Sequence, residues 1–338
     1  MKLFEQITDM FSRELELRGR AFVNYGALDQ VEVKDMTIDG FPAKLFFNPA
    51  RVRSVMADVS PEALQKRACF LCPNGLEHNQ LTTVWDSPTG QTYFIRVNPF
   101  PIFNHHFTIS SAIHERQTFA PHMESMLHLA QAMPEMSIFY NGPMCGASAP
   151  DHMHFQAVPR HSMPIEDHFD TNYANAVLVR ESDLQSHLAA LEKVLSMASI
   201  PENASQTGSL TAGASRTEEW EPRWNIISWY ENSVQNSSTI VQNNSVSSSK
   251  EKTTLNNIEQ HLNNIEPTPA RSTFNTIIFF RRESRPQCFF APENERILFS
   301  PGTVEMGGVG IVANRESFDR ITPEILKSMI KEVADAFL

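Results

Sequence analysis

The sequence predicts an α+β fold in which helices flank a mainly antiparallel sheet. Two kinds of hydrophobic periodicity indicate this. In one kind, apolar residues recur every three to four positions, which predicts amphipathic helices at residues 1–20, 116–133, 180–198 and 323–337. In the other, apolar and polar residues alternate, which predicts strands. Around the middle of the chain the order is strand, strand, helix, strand, loop, strand, which is typical of an α+β sandwich.

The predicted strands are short and are bounded by Pro, Gly and polar residues. They lie within residues 21–48 and at 92–97, 106–111, 137–140, 152–157, 223–230, 273–281, 287–291, 296–299 and 308–313. The last helix has a defined start, because Thr322-Pro-Glu places a proline at the first helical position.

Residues 232–270 are dominated by Ser, Asn, Gln and Thr. Such a segment buries too little apolar surface to offset its ordering entropy, so we predict a disordered insertion between two strands. The segment from Gly308 to Phe318 loosely echoes the one from His106 to Glu115, since each precedes a helix. We therefore predict two pseudo-repeated halves, at residues 1–198 and 199–338, the second degenerate and without the histidines of the first.

The composition excludes several classes of function. The formal net charge of −11 argues against nucleic acid as a ligand, because phosphate backbones require a surplus of Lys and Arg. The first residues contain no apolar stretch typical of a signal peptide, and no apolar run is long enough to span a membrane. The four cysteines are too few for a disulfide scaffold. We expect a cytoplasmic protein with reduced thiols.

The stretch from Asn141 to Gln156 carries the strongest chemical signal. Its first ten residues contain two Gly and two Pro and predict a loop. After the loop, His152, His154 and Gln156 alternate with apolar residues. In a strand, this spacing places both imidazoles and the amide on one face. The alternative is a pair of ordinary, half-buried strand histidines.

A second signal is Cys69-Phe-Leu-Cys-Pro-Asn-Gly75. A Cys-x-x-Cys pair followed by Pro and Gly is typical of a zinc knuckle, because the turn brings both sulfurs to one metal ion. The pair supplies only two ligands, so two more must come from elsewhere. Two buried thiols, or a redox pair, are the alternatives.

These segments together resemble the histidine-triad (HIT) superfamily. Asn98-Pro-Phe-Pro, with His106 eight residues after Asn98 and His114 eight further on, looks like the first half of a HIT domain. The stretch from Gly146 to Gln156 is similar to the His-x-His-x-Gln motif of one branch. That branch contains galactose-1-phosphate uridylyltransferase, diadenosine tetraphosphate phosphorylase and GDP-L-galactose phosphorylase. The matches span roughly residues 48–160, and three motifs occur in the right order.

The resemblance implies roles for the residues of the motif. His154 would be the nucleophile that forms a covalent nucleotidyl intermediate, and Gln156 would donate its amide to a phosphoryl oxygen. Gln in place of a third histidine fits transfer better than hydrolysis. The amides and the hydroxyl around Gly146, Ala147 and Ser148 would cradle the phosphates.

The resemblance also implies a structural zinc site. Its ligands would be Cys69, Cys72, His106 and His152, with no open position for catalysis. Since His105 and His106 face opposite ways in a strand, only one of them can be a ligand, and His106 is chosen by its spacing from Asn98. For His114 a solvated loop residue and a site residue both remain open.

Further residues are candidates for substrate binding. Arg281 and Arg285 either form a solvated strand end or clamp phosphate groups, since Arg binds phosphate oxygens bidentately. Asn48 and Arg51 lie at a turn where the family analogy places base and ribose. Asn141, at the start of the loop, belongs to the same predicted set.

The sequence therefore predicts a nucleotidyltransferase of the phosphorylase type, acting on a nucleotide sugar or a dinucleotide polyphosphate. Phosphate or a sugar phosphate would be the acceptor. The Ser300–Gly308 segment resembles the phosphorylases more than the uridylyltransferases. The alternatives are a hexose-1-phosphate uridylyltransferase, a HIT-type nucleotide hydrolase, or a nucleotide-binding protein without catalysis. No membrane or nucleic-acid partner is expected. Relatives form homodimers, although no segment here marks an interface.

Overall fold

The computed structural model describes residues 2–52, 56, 59–75, 80–197, 221–232 and 272–335. Its helices are α1 Leu3–Glu16, α2 Arg20–Gly26, α3 Pro61–Lys66, α4 Met123–Ala132, α5 Thr171–Ala174, α6 Leu184–Met197, α7 Thr303–Met306, α8 Arg315–Arg320 and α9 Pro323–Val333. Its strands are β1 Glu32–Ile38, β2 Phe41–Phe47, β3 Thr83–Asp86, β4 Thr92–Val97, β5 Phe107–Ser111, β6 Met136–Asn141, β7 His154–Pro159, β8 Ala176–Glu181, β9 Trp224–Glu231, β10 Thr273–Phe280 and β11 Val309–Val312.

The strands form a large sheet and a small one. The large sheet has the order β3-β4-β5-β7-β6-β9-β10-β8, and every pairing in it is antiparallel. The small sheet has the order β1-β2-β11, in which β11 runs parallel to β2. Helices flank the large sheet, so the predicted α+β class with a mainly antiparallel sheet is confirmed.

The large sheet is continuous across the predicted boundary between the two halves. Strand β9 pairs with β6, and β8 pairs with β10. The division at residues 198 and 199 stays a prediction. The predicted insertion at 232–270 lies, apart from Asn232, outside the described residues.

Two apolar cores lie on opposite faces of the large sheet. On the first face, α1, α4 and α6 pack against the inward residues of the strands, such as Phe155 and Ile109. On the second face, the small sheet and α9 pack against Phe139, Ile277 and their neighbours. Each fully buried Leu, Ile or Phe side chain contributes about 1.5–3 kcal/mol to folding.

The second face is polar where it is formed by β4, β5 and β7. Because strand residues alternate between faces, the residues opposite to the first core point to this side. They are Arg96, Thr108, Ser110, His154 and Gln156. This polar part of an otherwise apolar sheet face is where the predicted site lies.

The four long helices lie within the ranges that the periodicity predicts, and some of them are shorter than predicted. The predicted start of the last helix is confirmed, because the Thr322 hydroxyl accepts a hydrogen bond from the Ile325 amide. The described helices include none that is both long and apolar enough to cross a membrane.

Several predicted elements differ from the structure. The helix predicted at 116–133 begins only at Met123, and the region 21–48, predicted as strands, opens with helix α2, Arg20–Gly26. Residues 287–291 form a 3₁₀ turn instead of a strand, and residues 296–299 have no regular structure. Pro286 and Pro292 flank residues 287–291 and supply no N–H for pairing with another strand. In the second segment, the side chain of Phe299 is buried although its backbone is irregular. The predicted helix at 180–198 begins only at Leu184, because residues up to Glu181 belong to β8.

His187 is a fully buried histidine on the first face. It lies in α6, and its Nε2 is 2.8 Å from the Thr276 hydroxyl on β10. Burial lowers the pKa of His187 to about 4, so the folded protein holds it neutral. In the unfolded chain its pKa is about 6.5. The unfolded state therefore binds more protons between these two values, and stability falls as the pH drops from about 6.5 towards 4.

We expect the free energy of unfolding in urea to decrease over this pH range, with a contribution from His187 of up to about 3 kcal/mol. In a His187→Gln variant, whose amide reaches the position of Nε2 and does not titrate, the decrease should be smaller. Urea titrations at pH 7, 6, 5 and 4 measure both slopes. Equal slopes for the variant and the wild type would contradict the assignment.

Candidate active site and metal centre

Strand β7 carries the central residues of the site. His154 faces Ser110 of β5, and Gln156 faces Thr108. Phe155 and Ala157, between and after them, belong to the first core. The predicted alternation therefore holds from His154 onward, and the imidazole and the amide share one face.

His154 has a defined tautomer. Its Nδ1 lies 2.8 Å from the backbone carbonyl of His152. A carbonyl can only accept, so Nδ1 carries the hydrogen and donates it. Burial lowers the pKa of His154 to about 4, so the ring is neutral near pH 7 and its lone pair is on Nε2. Within the described residues, Nε2 has no hydrogen-bond partner, so it is available as a nucleophile.

The amide of Gln156 is also oriented. His106 Nδ1 accepts a hydrogen bond of 3.2 Å from the Ile102 amide, so the hydrogen of the neutral ring is on Nε2. That Nε2–H donates to Gln156 Oε1 over 2.9 Å, and Asn98 Nδ2 lies 3.5 Å from the same oxygen. With Oε1 held on this side, the NH₂ group of Gln156 is left to donate to another acceptor.

Four metal-binding side chains converge next to β7. They are Cys69, Cys72, His114 and His152, whose ligand atoms all lie within 4.8 Å of one another. The two Nδ1 atoms are 3.3 Å apart, and each is 3.2–3.4 Å from Cys72 Sγ. Cys69 Sγ is 3.3 Å from His152 Nδ1.

The four separations of 3.2–3.4 Å are compatible with one tetrahedral metal ion. Zinc bonds of about 2.3 Å to sulfur and about 2.0 Å to nitrogen place tetrahedral ligand atoms roughly 3.3–3.7 Å apart. His152 is oriented for this role, because its Nε2 lies 2.9 Å from the Ser111 carbonyl and must donate to it, leaving Nδ1 as the ligand atom. The two cysteines and two histidines therefore form a candidate metal centre.

His106 lies outside this centre, which changes the ligand set predicted from the sequence. Both of its ring nitrogens are engaged, one by the Ile102 amide and the other by Gln156. His114, which the sequence left open, takes its place. It follows the end of β5 at Ser111, where the chain turns towards the cysteines. The spacing of eight residues between the two histidines was the available signal, but it does not say which one meets the metal.

The loop before β7 touches the C-terminal part of the chain. Gly146 has φ +93°, and a Cβ atom there would lie 2.7 Å from Gly302 Cα, so only glycine fits this approach. Asn141 Oδ1 accepts from the Thr303 amide and hydroxyl, each at 2.7 Å, and from Asn225 Nδ2 at 3.0 Å. The Asn141 amide is thereby oriented. Ser148 is half-buried and Ala147 is buried in the same loop, which agrees with a cradle but adds no contact to it.

Arg281 has a structural place. It is 3% exposed, and its five N–H groups donate to five acceptors. These are the carbonyls of Val333, Pro301, Glu283 and Ser284 and the side-chain oxygen of Asn225, at 2.5–3.3 Å. No N–H of Arg281 is left to bind a phosphate. The structure therefore removes Arg281 from the substrate-binding residues predicted from the sequence. Arg285 bonds the Ser300 hydroxyl and stacks over Phe289.

The turn at Asn48 lies near the site. Asn48 is buried and caps the turn by accepting from the Ala50 amide. Arg51 Nη1 donates to the Phe100 carbonyl over 2.6 Å, whereas its Nε is buried and has no partner among the described residues. Phe100 in turn donates its amide to Asn98, whose side chain lies beside the Gln156 oxygen. Burial, with a contribution from the charge of Arg51, lowers the pKa of His106 to about 3. Arg51 thus remains a candidate for phosphate binding.

Comparisons with known proteins agree with this fold. The model of a family described as a domain of unknown function (DUF4922) matches residues 10–159. No curated protein matches the sequence. A crystal structure of yeast Ap4A phosphorylase Apa2 is similar with a TM-score of 0.54 and 12% identity, over 99% of this chain and 98% of that one.

Two further crystal structures of the same yeast enzyme are similar. The complex with Ap4A has a TM-score of 0.51 and 11% identity, over 99% of this chain and 98% of that one. The complex with AMP has a TM-score of 0.50 and 12% identity, over 94% and 96%. At these identities the likeness shows the fold alone.

A metal analysis distinguishes the two histidines. We expect the His114→Ala and Cys69→Ser variants to lose nearly all bound metal, because each removes one ligand of a four-ligand site. His106→Asn should retain about one ion per chain, since both nitrogens of His106 are bound elsewhere. Plasma emission spectrometry on purified protein measures the content. Metal loss in the His106 variant with full retention in the His114 variant would reverse the assignment.

Arg281 and its exposed neighbour Arg282 form a matched pair for a stability test. Arg281→Lys should lower the free energy of unfolding by about 3–5 kcal/mol, because it leaves several buried acceptors without donors. Arg282→Lys should change it by less than about 0.5 kcal/mol, because its guanidinium makes one long, exposed bond to the Glu332 carbonyl. Urea unfolding measures both. A stable Arg281 variant with only weakened nucleotide binding would restore the phosphate-clamp interpretation.

Proposed function

We propose that this protein is a nucleotidyltransferase of the phosphorylase type, from the phosphorylase branch of the HIT-like superfamily. The observation that carries the proposal is the state of His154. It is buried and neutral, its Nδ1–H is bound to the His152 carbonyl, and its Nε2 lone pair has no partner among the described residues. The oriented amide of Gln156 lies on the same face of β7. A nucleophilic nitrogen beside a fixed N–H donor suits attack on a phosphoryl group.

The reaction would proceed in two displacements. His154 Nε2 attacks the α-phosphorus of the nucleotide, a P–N bond forms, and the P–O bond to the leaving phosphoryl group breaks with its electron pair on that oxygen. An oxygen of inorganic phosphate then attacks the same phosphorus, and the P–N bond breaks to restore the neutral histidine. The amide of Gln156 would donate to a non-bridging oxygen in both steps, because negative charge develops there.

The substrate we propose is a dinucleotide polyphosphate, with a nucleotide sugar as the related possibility. The support is the fold shared with a yeast Ap4A phosphorylase, one structure of which holds Ap4A and another AMP. On this chain, the Nε–H of Arg51, which has no partner among the described residues, and the loop at Gly146, Ala147 and Ser148 would bind the phosphates. Asn48 and the NH₂ group of Asn141 complete the proposed binding residues.

We propose zinc as the ion of the metal centre, held by Cys69, Cys72, His114 and His152. Two thiolates and two imidazoles are the donor set that zinc prefers, and four protein ligands leave no open position. Zinc would therefore act structurally. Its role would be to fix His152, whose carbonyl holds the ring of His154.

A labelling experiment tests the proposed function. We expect wild-type protein incubated with α-³²P-labelled Ap4A or ATP to form an acid-labile, base-stable adduct on His154, because phosphoramidates have this stability. His154→Ala should form none. His161→Ala is the matched control, since the exposed ring of His161 bonds the Asp167 carboxylate, and its backbone N–H, which donates to the Glu166 carboxylate, is kept in the variant.

The fate of the adduct separates transfer from hydrolysis. On addition of inorganic phosphate, the label should leave as nucleoside diphosphate; release as nucleoside monophosphate would instead favour a hydrolase. A screen with UDP-glucose and GDP-hexoses covers the uridylyltransferase and nucleotide-sugar alternatives. If no nucleotide or nucleotide sugar labels the wild-type protein, the chain is a binding protein and the proposal fails.

A further inference from the structure

The backbone pairing between strands β6 and β7 ends just before it reaches His154, the proposed nucleophile. Their ladder pairs Met136 with Pro159 and continues to Phe139 opposite Gln156. Continued in the same register, it would bring Asn141 opposite His154. Instead, the loop begins after Asn141, and the backbones of Asn141 and His154 do not pair. The backbone polar groups of His154 that point towards β6 therefore need another partner.

The side chain of Gln117 fills this gap. Its Oε1 accepts from the His154 amide over 2.8 Å. Its Nε2 donates to the His154 carbonyl over 3.0 Å and to the Asn141 carbonyl over 2.9 Å. One side-chain amide thus stands in for a strand neighbour and joins the end of β6 to the start of β7.

The geometry of Gln117 leaves one orientation. A flipped amide would set an NH₂ group against the His154 N–H and an oxygen against two carbonyls, which is unfavourable at three contacts. Gln117 is 1% exposed, and its own backbone N–H donates to the Pro150 carbonyl over 3.1 Å. The side chain of Gln117 is therefore buried and fully hydrogen-bonded, and its backbone is attached to the end of the loop that precedes β7.

We infer that Gln117 is a positioning residue for the nucleophile. Its side-chain amide bridges the backbones of His154 and Asn141, and it thereby fixes the position of His154 Nε2. This inference rests on the proposed nucleotidyl transfer. The Nδ1–H bond to the His152 carbonyl sets the rotation of the imidazole, and Gln117 sets the position of the Cα from which it projects. The residue does not touch the reacting atoms, and it acts through His154.

The test uses Gln117→Met, which keeps the volume and removes all three bonds. We expect the single-turnover rate of adduct formation on His154 to fall about 100-fold, which is the effect of misplacing a reacting group by about 1 Å. The Kd of the nucleotide should change less than about threefold, because no proposed binding side chain is replaced and the Asn141 side chain keeps its own bonds to Thr303 and Asn225. Gln80→Met is the control, because Gln80 is a half-buried glutamine whose side chain also donates to a backbone carbonyl, that of Val97, away from His154.

The Gln117→Glu variant supplies a readout that a merely structural residue would not give. Its carboxylate accepts from the His154 amide but faces two carbonyls, so it should also be slow at pH 8. Burial favours the protonated acid at lower pH, which donates to one carbonyl again. The rate relative to wild type should therefore recover in part at pH 5.5, and the Gln117→Met variant should show no recovery.

Hydrogen exchange keeps the inference separate from the proposed function. Exchange of the His154 amide, resolved by fragmentation mass spectrometry, should speed up at least about tenfold in Gln117→Met and remain unchanged in Gln80→Met. If the wild-type protein forms no adduct, the proposed function is overturned. The exchange rate of the His154 amide still shows whether Gln117 holds the His154 backbone. Unchanged exchange at His154, or an adduct rate equal to wild type in Gln117→Met, would overturn the positioning role.

Discussion

The site depends on one hydrogen bond, from His154 Nδ1 to the backbone carbonyl of His152. This bond selects the tautomer that leaves Nε2 unprotonated, and burial keeps the ring neutral. Its acceptor belongs to a residue of the candidate metal centre, so the position of the carbonyl follows from the two cysteines and His114. The arrangement is compact, because His152 lies only two residues before His154, where the loop enters β7.

The C-terminal part of the chain completes the site without supplying a histidine to it. A row of polar side chains crosses the second face of the sheet, from Asn141 through Asn225 to Arg281, each bonded to the next. Thr303 joins the row at Asn141, and the neighbouring Gly302 allows the close approach of the phosphate loop. The C-terminal part of the chain thus holds the loop before β7 in place, and a preorganised loop lowers the entropic cost of binding a ligand.

The sequence predicts the parts of this site that depend on local pattern. Alternation placed His154 and Gln156 on one face, and the Cys-x-x-Cys pair indicated the metal centre. The sequence favoured His106 as the fourth ligand, whereas the structure brings His114 to the cysteines, because the outcome depends on how the chain turns after β5. Arg281 was ambiguous for a similar reason, since its acceptors are backbone carbonyls from distant segments. The sequence does not indicate the role of Gln117, because no motif marks a side chain that takes the place of a neighbouring strand.

The His106–Gln156 pair bears on the choice between water and phosphate as the acceptor. Water needs a base to remove its proton, whereas a phosphate oxygen is already anionic near pH 7. An amide cannot take a proton, and His106, with its pKa lowered to about 3 by burial and by Arg51, stays neutral without serving as a base. A third histidine at the position of Gln156 would supply such a base. The pair instead offers an oriented N–H donor and a neighbouring cation, which suit an anionic acceptor and favour transfer over hydrolysis.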